Sequence, residues 1–101
     1  MACLDVPFHP RWRTSMLSGR KTKTCRRHRI GKVDDTFSRF GAVFQITGIT
    51  QMSLHDVVTH HFYDEGCDST EELMMIWMKL HPKRGYVSTD RVYLHTFRRS
   101  Q

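Results

Sequence analysis

Gly19-Arg20-Lys21-Thr22-Lys23-Thr24-Cys25-Arg26 is the stretch on which the reading turns. No helical periodicity runs through it. On an extended chain Thr22 and Thr24 face one way, Lys21 and Lys23 the other. Residues 21–28 are therefore read as a strand, with Gly19 stopping the element before it. A threonine hydroxyl is a poor nucleophile until a base takes its proton. A lysine can do so once burial or neighbouring cations lower its pKa. Arg20, Lys23 and Arg26 push Lys21 in that direction. Ideal alternation separates Lys21 from Thr24, so a local twist or bulge is needed to bring them together. The stretch is no P-loop, because a glycine-rich run before the lysine is missing. Without further context its residues also suit an ordinary basic strand. Cys25 suits such a strand too, although Lys23, Arg26 and Arg27 around it favour a thiolate.

Upstream, Leu4, Val6 and Phe8 alternate with Asp5 and Pro7, which predicts a strand over residues 3–8. Pro7 places it at an edge or a strand end. Pro10 suits the first turn of a short helix over 10–18, with Trp12, Ser15 and Met16 on one face. Downstream, residues 31–41 are rich in turn formers and are read as a loop. Residues 42–51 carry Val43, Phe44, Ile46, Thr47, Ile49 and Thr50, the clearest strand pattern in the chain. Ser53 caps a helix with apolar positions Leu54, Val57, Val58 and Phe62, ended by Gly66. Ser69 and Glu72 have capping-box spacing and open a second helix. Its stripe is Leu73, Ile76, Trp77 and Leu80, widened by Met74 and Met78, and such a stripe is read as core. Pro82 and Gly85 break the chain. Residues 91–98 then set Val92, Leu94 and Thr96 against Tyr93, His95 and Phe97 in a last strand.

The order is strand, helix, strand, strand, two helices, strand. This is an α+β pattern without βαβ regularity, and at 101 residues it fits one domain over 1–101. A small mixed sheet closing toward a barrel, flanked by short helices, suits these lengths.

Composition narrows the function classes. No run of about 18 apolar residues exists, so no membrane span is expected. Met1-Ala2-Cys3-Leu4-Asp5 lacks the basic start and apolar stretch of a signal peptide, and the cytoplasm is the expected compartment. Cys3, Cys25 and Cys67 are odd in number and never at Cys-x-x-Cys spacing, which argues against a disulfide framework or a cysteine zinc site. Seven histidines raise the question of a metal. His60 and His61 are adjacent and face different sides of a helix, His61 and Glu65 are four apart, and no third ligand presents itself. No metal or cofactor is expected.

Charge is divided along the chain. Residues 1–32 hold nine Lys or Arg and one acid, residues 33–75 one Arg and eight acids, and residues 76–101 six basic residues and one acid. The two chain ends should form a basic surface that attracts phosphates. In the acidic middle, Asp64-Glu65-Gly66 sets an acid beside a helix-ending glycine, a position from which a carboxylate can enter a cleft.

Taken together, Gly19–Arg26, the segment Glu65-Gly66-Cys67-Asp68-Ser69-Thr70-Glu71-Glu72-Leu73 followed by Trp77, and the closing Val92-Tyr93-Leu94-His95-Thr96-Phe97 resemble the ASCH family of the PUA-like β-barrel superfamily. The first looks like that family's Gly-x-Lys-Thr-x-Thr-x-Arg signature. The second is similar to its Glu-Gly-(aromatic)-x-Ser-x-Glu-Glu segment. Order and spacing agree over nearly the whole chain. The departures are Asp34-Asp35 where Gly-Asp is common, Cys67 where an aromatic is common, and the strongly basic Arg26-Arg27-His28-Arg29.

The resemblance implies a small PUA-like barrel with a positively charged cleft. Small bacterial members of the family include amidohydrolases that convert N(4)-acetylcytidine to cytidine and acetate. There a Lys, a Thr three residues later and a distant Glu form the catalytic set, and Lys21, Thr24 and Glu65 stand at the matching positions. Arg26 matches the signature arginine, a substrate contact, and Lys23, Arg20 and Phe8 are further substrate-binding candidates. The alternative is an RNA-binding module, with ribonuclease chemistry as a variant, using the basic surface and the aromatics Phe8, Trp12 and Tyr93 for base stacking. The expected partner is a nucleoside substrate or RNA.

Overall fold

The computed structural model describes residues 2–100. Its elements are β1 (Cys3–Leu4), a 3-10 turn (Pro10–Trp12) running into α1 (Arg13–Leu17), β2 (Lys23–Arg26), β3 (Thr36–Arg39), β4 (Ala42–Ser53), α2 (Leu54–His60), α3 (Thr70–Leu80) and β5 (Arg91–Arg99). The strands form one mixed sheet in the order β1-β3-β4-β5-β2, with β1 parallel to β3 and the other pairs antiparallel. The fold is α+β, as the pattern predicts.

Two local readings change. The loop expected over 31–41 contains β3, whose single buried apolar residue, Phe37, is too short a signal to stand out among Asp, Ser and Gly. A two-residue turn joins β3 to β4, with φ of 55° at Phe40 and 76° at Gly41. Positive φ at both centres matches the twist of a hairpin. No atom lies within 4 Å of a Cβ built on Gly41. Gly41→Ala should therefore lower stability by about 1 kcal/mol through backbone strain alone, read as a lowered melting temperature. The first strand, expected to reach residue 8, stops at Leu4. Beyond it Val6 and Phe8 remain buried without a backbone ladder, and Pro7 has no N–H to offer one.

The edges β1 and β2 are not paired with each other among the described residues. A β2 side chain bridges the seam instead, Arg26 Nη2 donating to Pro7 O at 2.7 Å, while Arg39 Nη2 on β3 holds the following residue, donating to Phe8 O at 2.7 Å.

Two hydrophobic cores result. Inside the curved sheet, Phe8, Phe37, Phe44 and Phe97 pack with ring centroids 5.3 to 6.0 Å apart. On the helix side, Leu54, Val57, Val58, Leu73 and Trp77 pack on Val92 and Leu94. Trp12 touches both cores. The caps behave as their spacing predicts: Ser53 accepts from Asp56 N and Ser69 from Glu72 N, each at 3.1 Å. α2 ends at His60, so Phe62 and Gly66 lie in the loop beyond it. The stripe on α3 is only partly core, since Leu80 is 67% exposed and Met78 41%. No helix among the described residues is long and apolar enough to cross a membrane.

Candidate active site

A cleft of about 540 Å³ opens between the two cores, within the roughly 300–1,000 Å³ usual for small-molecule sites. Lys21, Thr24, Arg26 and Glu65 all line it, with Trp12 and the α3 face of Ile76, Trp77 and Leu80 as apolar wall. Leu80, the exposed end of the α3 stripe, therefore borders this cleft.

Edge-strand geometry explains how a distant glutamate reaches β2. An edge strand presents unpaired N–H groups, and the loop after α2 covers them. Thr22 N and Lys23 N donate to Asp64 O at 2.8 and 3.0 Å. Cys25 N donates to Glu65 Oε1 at 3.0 Å. Gly66, at φ +95°, lets this loop pass beneath the Trp12 ring. The other carboxylate oxygen, Glu65 Oε2, is buried and has no protein partner.

Lys21 lies just before β2, outside the ladder, and its side chain is 3% exposed. Its Nζ donates to Glu65 O at 2.7 Å and to Lys23 O at 2.9 Å, and lies 3.9 Å from Glu65 Oε1. The Trp12 ring centroid is 4.4 Å away. Burial lowers the pKa of Lys21 and outweighs the opposing pull of Glu65, while Arg26 adds to the lowering. Burial likewise raises the pKa of Glu65 against the pull of Lys21. Burial thus works against the charged form of both groups.

Thr24 is buried at 8% exposure, and its Oγ1 accepts from Arg26 Nε at 3.1 Å. That bond joins two residues on one face of β2, at positions i and i+2. It leaves the hydroxyl proton free to be given away. His95 on β5 holds the same residue from behind. Its Nε2 accepts from Ile30 N at 2.9 Å, so Nδ1 carries the proton and donates to Thr24 O at 3.4 Å. Sequence reading assigned His95 no role. Its alternation with Phe97, which marks the inward face of β5, was the available signal.

Two of the other candidates stand elsewhere, and a third is covered. Lys23 turns away from the cleft to Asp64 Oδ2 and His61 Nδ1, each at 3.1 Å. Arg20 clamps the α2–α3 loop, donating to Tyr63 O, to Cys67 O at 3.0 Å and to Asp68 Oδ1 at 3.2 Å. Its guanidinium also lies 3.6 Å from the Tyr63 ring centroid. Phe8 borders the cleft, but one side of its ring stacks on Phe37 and the Arg26 guanidinium sits 4.8 Å from its centroid, so no face is left open for a base. Cys25 fits the ordinary strand residue rather than the thiolate that its neighbouring cations favour. Burial and the nearby Glu65 push its thiol pKa up, against Lys21 and Arg26. Among the described residues no three His, Cys, Asp or Glu groups converge as metal ligands.

No family model matches the sequence, and no curated protein matches it. Solved structures do match. The ASCH domain from Lactobacillus crispatus JV V101 superposes with a TM-score of 0.62 at 11% identity, over 97% of this chain and 78% of that one. The chain has the ASCH fold. A hypothetical protein, PH0355, shares it with a TM-score of 0.70 at 14% identity, over 91% of this chain and 94% of its own. So does protein EF3133 from Enterococcus faecalis V583, with a TM-score of 0.61 at 22% identity, over 89% and 70%. Within this ASCH fold, the motif that precedes and enters β2 and the Glu-Gly loop after α2 meet in one cleft.

Proposed function

We propose that this ASCH-fold chain is an amidohydrolase that deacylates N(4)-acetylcytidine or a related acylated nucleoside. The observation that carries the reading is the environment of Lys21. A neutral amine has two N–H groups, and carbonyls of Lys23 and Glu65 take both. Its lone pair is then the part left to act as a base toward Thr24.

The chemistry follows from these groups. Thr24 Oγ1 attacks the acyl carbonyl and its proton passes to Lys21 Nζ. Arg26, whose guanidinium donates to the Thr24 hydroxyl, stands beside the attacked carbon, where it can stabilise the negative charge that develops on the acyl carbonyl oxygen. The tetrahedral intermediate collapses with cleavage of the C–N bond. Glu65, protonated, gives its proton to the departing amine. Water then attacks the acyl-threonine ester and gives a proton to the Glu65 carboxylate. Lys21 returns its proton to Thr24 as acetic acid leaves, restoring the starting state, and the acid gives its own proton to solvent to become acetate.

Release of cytidine from N(4)-acetylcytidine tests the reading, and absence of turnover overturns it. The pH profile of kcat/KM should be bell-shaped. Activity rises as Lys21 loses its proton, below the ordinary value of 10.5. It falls as Glu65 ionises, above the ordinary 4.5. Because the two groups interact, both limbs belong to the pair. Glu65→Gln should remove the falling limb, leave the rising one, and slow turnover by about 100-fold or more. An unchanged profile in that variant counts against the assignment.

RNA binding draws less support. Arg20, Lys23 and Arg27, three of the cations that suggest it, pair with Asp68, Asp64 and Asp90.

A further inference from the structure

Lys23 opens β2, yet it is not among the side chains that line the cleft. Its Nζ lies 3.1 Å from Asp64 Oδ2 and 3.1 Å from His61 Nδ1. Those two partners stand at the start and near the end of one turn, which Glu65 closes: Glu65 N donates to His61 O at 3.1 Å. One ammonium thus ties β2 to both ends of the turn that brings the Glu65 carboxylate to Cys25 N and the Glu65 carbonyl to Lys21 Nζ.

The contact with His61 is conditional. An ammonium has donors and no acceptor, so Nδ1 must offer its lone pair. A protonated imidazole has none to offer, and it would face the ammonium as a like charge. The charged and titratable groups around the ring are Lys23 from β2, Asp64 from the turn, and His60 and Asp56 from α2. Burial first, and then Lys23, hold the imidazole below its ordinary pKa of 6.5, against the pull of Asp64. The contact is therefore intact at neutral pH.

We infer that Lys23 is a positioning residue: it clips the Glu65 turn to β2 while His61 is neutral, and it releases the His61 end when that imidazole gains a proton. The clip acts through Glu65 and touches no reacting atom. Its effect on turnover rests on the amidohydrolase reading, and the clip itself does not. The turn is tight above the titration of His61 and loosens as pH falls through it, below 6.5.

Amide hydrogen exchange tests the clip without catalysis. Thr22 N and Lys23 N donate to Asp64 O, and Glu65 N to His61 O, so none of these three acceptors titrates. Their protection, corrected for intrinsic rates, should fall by about fivefold between about pH 8 and about pH 5. His61→Gln supplies an acceptor oxygen that does not titrate, and its protection should stay level. Lys23→Met should show the low value at both pH values, and Lys23→Arg the high one at about pH 8. Level protection in the wild-type protein, or an equal fall in His61→Gln, overturns the inference. In turnover at about pH 8, Lys23→Met should lower kcat for N(4)-acetylcytidine by about fivefold with little change in KM, and Lys23→Arg should recover it. A change in KM alone would make Lys23 a substrate contact and overturn the positioning role. The two readings fail separately. A pH-dependent turn without turnover defeats the amidohydrolase and leaves the clip standing, and turnover with unmoved exchange defeats the clip alone.

Discussion

Thr24→Ala should lower kcat for N(4)-acetylcytidine by about a thousandfold or more, because on the proposed mechanism Thr24 carries the acyl group. The side chain is small and the change removes only Oγ1 and one methyl, so the fold should survive. The Arg26 Nε bond to Oγ1 is lost, at a cost of about 1 kcal/mol or somewhat more. Thr24→Ser keeps the nucleophile and should retain measurable turnover. The pair of variants separates chemistry from packing. A Thr24→Ala protein with native activity would show that Thr24 is no nucleophile, and the Lys21 and Glu65 assignments would fall with it. Single-turnover trapping of an acetyl-threonine ester in the wild-type protein gives an independent check.

Gly66→Ala should be the most damaging single methyl in the loop that carries Glu65. Gly66 has φ +95°, and an added Cβ would lie 2.7 Å from Trp12 Cζ3, 3.1 Å from Cε3 and 3.4 Å from Lys21 Cβ. The obstacle is the face of a ring that packs against both cores and cannot swing aside cheaply. Strain at positive φ and overpacking together should cost about 3 kcal/mol, or about 10 °C or more in melting temperature for a domain of this size. Turnover should fall too, since the Trp12 ring borders Lys21 Nζ. A loss below about 0.5 kcal/mol in urea unfolding would show that the loop has room the geometry denies it.

The sequence is informative where one residue type has one physical use. β4 is legible because β-branched and aromatic residues fill it, and the starts of α2 and α3 because Ser53 and Ser69 cap them. β3 is hidden because its turn chemistry, Phe40-Gly41, is not the usual Asn-Gly and its interior is a single phenylalanine. In the site, the motif places Lys21, Thr24 and Glu65 in one cleft, but charge alone misplaces Arg20 and Lys23. A cation in sequence says nothing of which way it turns. Asp68 and Asp64 decide that, and both come from the acidic middle of the chain. Cys25 shows a related limit: neighbouring cations favour a thiolate only where water or an open face permits the charge, and burial leaves the ordinary strand residue instead.

The cleft between the two cores has a thermodynamic side. Phe8 on one flank belongs to the sheet-side core, Leu73 and Trp77 on the other to the helix-side core, and few side chains besides Trp12 touch both. A ligand lying there becomes a temporary packing layer between them. Its binding free energy is also folding free energy, since the unfolded chain has no such surface to offer. Substrate capture and the cohesion of the domain are thus a single linked equilibrium.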